Sequence, residues 1–212
     1  MSTIDVEQIT AQVVDSLRHR DIPIGISNRH VHLSQSDFDR LFPDEQIGVA
    51  KSLVQPGHFA ATQTVTLKGP KGQIEKVRIL GPLRSYSQVE VSATQARELG
   101  IRAPVRMSGD LEGTPGIEII SDFGAVNLTK GVIIAKRHIH MNSLDALLFG
   151  LEDLQTVDVM AGEPERAVLF KDVIVRVDPS LVLEMHLDTD EANAAGLKGS
   201  EDCGKIVFNK PK

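Results

Sequence analysis

Four histidines stand in two matching pairs. His30 and His32 lie in Ile26-Ser27-Asn28-Arg29-His30-Val31-His32-Leu33-Ser34, and His138 and His140 lie in Ile134-Ala135-Lys136-Arg137-His138-Ile139-His140-Met141-Asn142, 108 positions later. Both copies read Arg-His-β-branched-His-apolar-(Ser/Asn), and both carry an aspartate three residues further on, Asp37 and Asp145. The β-branched and apolar neighbours predict strands, whose side chains alternate faces, so each histidine pair projects to one side. Two imidazoles on one face make a bidentate claw for a transition metal. A single His-x-His is as readily a surface pair; duplication in the same local context points to metal.

A second echo supplies a third group to each pair. Val89-Glu90-Val91-Ser92 through Gly100-Ile101 aligns with Met185-His186-Leu187-Asp188 through Gly196-Leu197, at an offset of 96. One half then offers His30, His32 and Glu90, and the other His138, His140 and His186. Three protein ligands leave the fourth position of a tetrahedral zinc open, the arrangement of catalytic sites. Two such sites facing each other would form a dinuclear centre able to hold a bridging oxyanion. Glu184 shares the strand face of His186 and competes with it for the ligand role, ranking second. His19 and His58 fall outside the pattern and read as solvent or packing residues.

An anionic substrate needs a basic group, and Arg84, in the loop Gly-Pro-Leu-Arg-Ser-Tyr-Ser six residues before Glu90, is the candidate. Guanidinium is a planar fork that fits phosphate; an exposed loop arginine is the plain alternative. Ser27 and Ser108 offer hydroxyls, although serine is common in such turns. Cys203 has no adjacent cation to lower its pKa and reads as incidental; a lone cysteine also excludes an internal disulfide framework.

These groups require a scaffold of short strands. Val65 to Lys68, Gly69 to Gly72 and Ile74 to Leu80 predict a hairpin, and residues 44–61, with Pro56-Gly57, read as loop. Further strands are expected at 88–91, 105–108, 117–120, 126–128, 157–160, 167–170, 173–177 and 181–187. Ser34 is positioned to cap a short helix, and Ser92/Gln95 and Asp188/Glu191 have the spacing of capping boxes. Many short strands with few helices favour small barrels or sandwiches, and the repeat argues for two similar barrels. Residues 2–20 predict a separate amphipathic helix, with Val6, Ile9, Val13 and Leu17 on one face. It either packs on its own domain or serves as a tag for a partner.

Composition narrows the class of partner. The net charge is −6 and aromatic residues make up 4% of the chain, which argues against nucleic acid. No apolar run approaches a membrane span, and the first residues lack the layout of a secretory signal. A cytoplasmic location, without membrane or nucleic-acid partners, is expected.

With these residues in hand, the chain resembles the PduL-type phosphotransacylases, or phosphate propanoyltransferases. The motifs are Gly-Ile-Ser-Asn-Arg-His-Val-His-Leu-Ser, Gly-Pro-Leu-Arg-Ser-Tyr-Ser-Gln-Val-Glu, Met-Ser-Gly-Asp-Leu-Glu-Gly-Thr-Pro-Gly, Ala-Lys-Arg-His-Ile-His-Met and Leu-Glu-Met-His-Leu-Asp-Thr-Asp-Glu-Ala-Asn. The resemblance runs from about residue 20 to the C-terminus. It implies a mainly β fold of two small β-barrels capped by short helices, with the N-terminal strand exchanged into the C-terminal barrel. The corresponding boundaries are residues 1–21 for the N-terminal helix, 29–135 for the first barrel, and 22–28 with 136–212 for the second. It further implies two Zn²⁺ ions, or other divalent transition metals, one on His30, His32 and Glu90 and one on His138, His140 and His186. Arg84 falls on the family's phosphate-binding arginine, and Ser27 and Ser108 fall on active-site serines. The implied substrates are coenzyme A or acyl-CoA and inorganic phosphate. The N-terminal helix resembles peptides that direct such enzymes into bacterial microcompartments, of the kind used in propanediol degradation, through shell or core proteins. A homo-oligomer is expected.

Two other classes compete. A cupin-like metal oxygenase or isomerase also places His-x-His in a small barrel, but usually adds a glutamate three or four residues later, where this chain has Gln35 and Ser36, then Ser143 and Leu144. A non-catalytic metal-binding scaffold protein would hold metal without turnover.

Overall fold

The computed structural model describes residues 5–199 and 201–208. Among these residues lie fifteen strands and five short helices. In chain order they are α1 (Val6–Arg18), β1 (Ile22–Ser27), β2 (His30–His32), α2 (Gln35–Leu41), β3 (Val49–Ser52), β4 (Phe59–Lys68), β5 (Gln73–Gly81), β6 (Gln88–Glu90) and α3 (Ala93–Leu99). Then follow β7 (Val105–Arg106), β8 (Ile117–Ile120), β9 (Ala125–Leu128), β10 (Val132–Ala135), β11 (His138–Met141) and α4 (Ser143–Phe149). The chain ends with β12 (Thr156–Ala161), β13 (Val168–Val177), β14 (Glu184–Asp188), α5 (Thr189–Ala195) and β15 (Cys203–Val207).

The chain forms two compact units. One contains the residues through Ile26, Arg137–Leu187 and those from Glu191 on; the other contains Ser27–Lys136 and Asp188–Asp190. The first holds a closed barrel in the order β1-β14-β11-β13-β12-β15. Closure is completed by β1, which pairs antiparallel with β15 through Ile22 opposite Gly204 and Pro23 opposite Cys203. The strand nearest the N-terminus thus belongs to the barrel built from the last strands, as the expected exchange requires. Alternation sorts the side chains: Ile139 and Met141 of β11, with Met185 and Leu187 of β14, are buried in a core with Ile22, Ile24, Phe149, Phe170 and Ile206. His138, His140, Glu184 and His186 fall on the opposite, half-buried face.

The second unit is a curled nine-stranded sheet ordered β7-β10-β6-β2-β5-β4-β8-β9, with β3 paired to β4. The predicted hairpin is β4–β5, and Gly69 N–H donates to the Gly72 carbonyl at its turn. Residues 44–61 are more regular than expected. Pro56-Gly57 turns the chain between β3 and β4, closed by Leu53 N–H to the His58 carbonyl and His58 N–H to the Gln55 carbonyl. All four β3 residues are exposed, so there was no alternation to reveal the strand. The strands expected at 167–170 and 173–177 are one strand, β13, which carries Asp172 at φ 55 between its halves.

Helices α2 and α3 sit at predicted caps. The Ser34 hydroxyl accepts from Asp37 N–H at the start of α2, and Ser92 with Gln95 forms a capping box at α3. Asn142 repeats the Ser34 geometry at α4, accepting from Asp145 N–H at 2.9 Å. Helix α1 is capped by Asp5 and buries none of its residues. Arg20, just beyond it, bonds Asp145 and lies 4.9 Å from the centroid of the Phe149 ring, which fastens this end of the chain to α4.

Candidate functional site

Strand pairing assembles the first predicted trio. Antiparallel β2 and β6 set His30 opposite Glu90 and His32 opposite Gln88, so a sequence gap of 60 between His30 and Glu90 collapses to one cross-strand pair. One ligand atom from each of His30, His32 and Glu90 lies within 4.8 Å of the others, and His30 Nε2 is 3.4 Å from Glu90 Oε2. All three residues are buried. His30 Nδ1 lies 2.8 Å from the Asn28 carbonyl, and His32 Nδ1 lies 3.2 Å from the Leu80 carbonyl. A carbonyl only accepts, so each Nδ1 carries a proton, and Nε2 is the ring atom left to face a metal. Burial, then His30 and Arg84, hold the His32 pKa down at about 2, against the Leu80 hydrogen bond, which raises it. Its imidazole is therefore neutral and able to ligate. Two imidazoles and a carboxylate fit zinc or a similar divalent ion.

The second trio forms by the same pairing. β11 and β14 set His138 opposite His186 and His140 opposite Glu184. The three imidazole centroids lie 4.7 to 5.0 Å apart, and their nitrogens meet the same 4.8 Å limit. Glu184 is hydrogen-bonded to its rival: Oε2 lies 2.7 Å from His186 Nε2. Gly25 leaves space for that carboxylate, since a methyl there would come 2.8 Å from Glu184 Oε1.

Arg84 lies beside the first trio. Its N–H donates to the Leu33 carbonyl at 2.8 Å, directly after His32, and its Nη1 donates to Ser108 Oγ at 3.2 Å. The repeated aspartate helps to hold this loop: Ser87 Oγ donates to Asp37 Oδ2 at 2.5 Å and accepts Ser34 N–H at 2.9 Å. Ser27 ends β1, three residues before His30, and is half-buried. Arg29 and Arg137 turn elsewhere, Arg29 to Asn28 and Arg137 to Glu191 at 3.2 Å. The Cys203 thiol pKa is pushed up by partial desolvation and by Asp21 and Asp202, which suits a residue outside the chemistry.

Two residues near the first trio were not picked out in the sequence. His58 is among the groups that lower the His32 pKa, which places it near the first trio; the Pro56-Gly57 turn carries it there. Gln88 is wholly buried and bonds both Glu90 and Ser108. Its signal was available, because it lies two residues before Glu90 as Glu184 lies two before His186.

With this geometry in view, comparison with known proteins identifies the lineage. The phosphate propanoyltransferase family profile matches residues 23–198, and the chain belongs to that family. It is 57% identical over 205 residues to the phosphate propanoyltransferase of Salmonella arizonae, covering 97% of this chain and 98% of that protein. It is 56% identical over 207 residues to that of Citrobacter freundii (98% and 99% covered) and 55% over 202 residues to that of Escherichia fergusonii (95% and 96%).

Proposed function

We propose that this protein is a phosphate acyltransferase that interconverts a short-chain acyl-CoA, propanoyl-CoA or acetyl-CoA, plus phosphate with acyl phosphate plus CoA. The observation that carries this reading is a three-ligand group adjoining Arg84, whose guanidinium donates to Ser108 Oγ, in a chain whose relatives are named phosphate propanoyltransferases. Arg84 and Ser108 bind phosphate, and Ser27 contributes a further hydroxyl. A phosphate oxygen attacks the thioester carbonyl carbon, the C–S bond breaks, and sulfur leaves with its electron pair as the CoA thiolate. Holding phosphate in line with the carbonyl supplies much of the acceleration. His30, His32 and Glu90 would hold one Zn²⁺ and His138, His140 and His186 another; zinc supplies Lewis acidity toward the carbonyl and a favourable partner for sulfur. The buried neutral His32 keeps a ligating lone pair at any physiological pH. No acyl-enzyme is required, in keeping with the raised thiol pKa of Cys203.

The test is thiol release from propanoyl-CoA and acetyl-CoA by purified protein of measured metal content, with and without phosphate. Phosphate-dependent release is expected; metal-loaded protein without turnover would instead establish a scaffold. Oxygen consumption would revive the cupin-like reading, which the missing glutamates disfavour. We further propose that α1 docks to shell or core proteins of a bacterial microcompartment. Support comes from its apolar face, where Val6, Ile9 and Val13 remain 70%, 48% and 52% exposed. None of the described helices is long and apolar enough to cross a membrane.

A further inference from the structure

The two copies differ at one cross-strand position in a chemically matched way. Gln88 faces His32 across β2–β6, and Glu184 faces His140 across β11–β14. Each lies two residues before the third ligand, on the same strand face. Where that ligand is the carboxylate of Glu90, the preceding group is an amide, whose Nε2 donates to Glu90 Oε1 at 2.6 Å. Where the ligand is His186, the preceding group is a carboxylate, which accepts from the ring at 2.7 Å. Donor meets acceptor in both copies with the roles exchanged.

Gln88 has no exposed surface, so its polar atoms must find partners within the protein. Oε1 accepts Gly109 N–H at 2.8 Å, and Nε2 donates both to Glu90 Oε1 and to Ser108 Oγ, the latter at 2.9 Å. The opposite amide orientation would set a carbonyl oxygen against the Glu90 carboxylate and an amide NH2 against the Gly109 N–H, an acceptor on an acceptor and a donor on a donor, so the assignment follows from chemistry. Ser108 Oγ also receives Arg84 Nη1 at 3.2 Å. Neither an amide nitrogen nor a guanidinium can accept a hydrogen bond, and a hydroxyl has two lone pairs and one proton. With both lone pairs engaged, the Ser108 proton is directed to a third group, beside the positive charge of Arg84. At Glu90, Gln88 occupies Oε1 while Oε2 is the oxygen turned toward His30.

We infer that Gln88 is a positioning residue that fixes the Ser108 hydroxyl as a donor to the phosphate substrate and holds the Glu90 carboxylate with one oxygen presented to the metal. This rests on the phosphate acyltransferase reading. It assigns one buried amide to both halves of the site: the anion subsite through Ser108 and the metal subsite through Glu90. Glu184 performs the second of these tasks in the other copy, by fixing the ring of His186.

The test uses full-length Gln88→Leu, Gln88→Glu and Ser108→Ala. Gln88→Glu keeps an acceptor for Gly109 N–H while removing the donor, and it carries the test together with Ser108→Ala if Gln88→Leu fails to fold. Both Gln88 variants should raise KM for phosphate about tenfold, the scale of one lost hydrogen bond to an ionised group, with KM for acyl-CoA within about twofold of wild type. Absorbance titration of metal-free protein with Co²⁺ should show one site weakened by about 10- to 100-fold, as when a partner of a metal ligand is lost. Ser108→Ala should reproduce the phosphate effect with Co²⁺ affinity unchanged, and Gln88→Glu added to it should raise KM for phosphate no further. Wild-type phosphate KM and wild-type Co²⁺ affinity in the Gln88 variants would overturn the inference, as would an equal rise in KM for both substrates with Co²⁺ binding intact. If wild-type protein releases no thiol in response to phosphate, the proposed function fails; the Co²⁺ titration still reads the Gln88–Glu90 contact independently.

Discussion

Arg84 acts on two groups at once. Its guanidinium donates to Ser108 and its charge helps hold His32 neutral. Arg84→Ala should raise KM for phosphate about 10- to 100-fold and lower kcat, the scale expected for losing a charge-assisted hydrogen bond to an anion. Phosphate saturation curves that match wild type would remove Arg84 from the site. His32 makes a separate prediction about stability. In the unfolded chain it takes up a proton near pH 6.5, whereas in the folded, metal-free protein it does so only at about 2. Below pH 6.5 the unfolded state therefore binds a proton that the folded state refuses. The His32 contribution is intact above that pH and is lost progressively as pH falls toward 2, at up to about 1.4 kcal/mol per unit. Urea unfolding of chelated protein at pH 7.5, 6.5 and 5.5 measures it, and His32→Gln should flatten the slope by that amount.

At the scale of elements, legibility followed burial on one face. β11 and β14 alternate buried and half-buried residues, so period two exposed both the strands and the side on which His138, His140 and His186 stand. β2 and β6 are buried throughout; there the duplicated His-x-His motif marks β2 and the echo of Val89-Glu90-Val91 in Met185-His186-Leu187 marks β6. β3 had neither signal, being exposed along its length. Gln88 was passed over because a buried amide has the same one-letter signature as a surface one; only its partners distinguish it. Which residues face one another across β2–β6 depends on register, and register between strands nearly 60 residues apart is set by long-range packing. Helix α1 was legible as an amphipathic segment, and its exposure in the fold makes a test of its role simple. Removing residues 2–17, which spares Arg20 and its bond to Asp145, should leave turnover within about twofold of the full chain, since α1 buries none of its residues. The same truncation should abolish enrichment with microcompartment shells in cell fractionation; undiminished enrichment would discard the docking proposal.

For the whole molecule, the decisive feature is barrel closure by β1. Ile22 and Ile24 are almost fully buried among side chains from β11 to β15. Ile24→Ala should therefore cost about 2–5 kcal/mol, as for other large-to-small core changes, although the residue is only a few positions from an exposed helix. Thermal unfolding read by circular dichroism measures the loss, and a change under about 1 kcal/mol would mean that β1 is a dispensable edge. Closure also imposes an order on biosynthesis. As the ribosome extrudes this polypeptide, β1 emerges well before Cys203–Val207, yet it must await that strand before its hydrogen bonds on that side exist. The intervening Ser27–Lys136 unit has all its own strands in hand much sooner. A nascent chain arrested short of residue 203 should thus carry a finished sheet unit and an unfinished barrel, with sticky hydrogen-bonding edges on show until Cys203–Val207 has emerged.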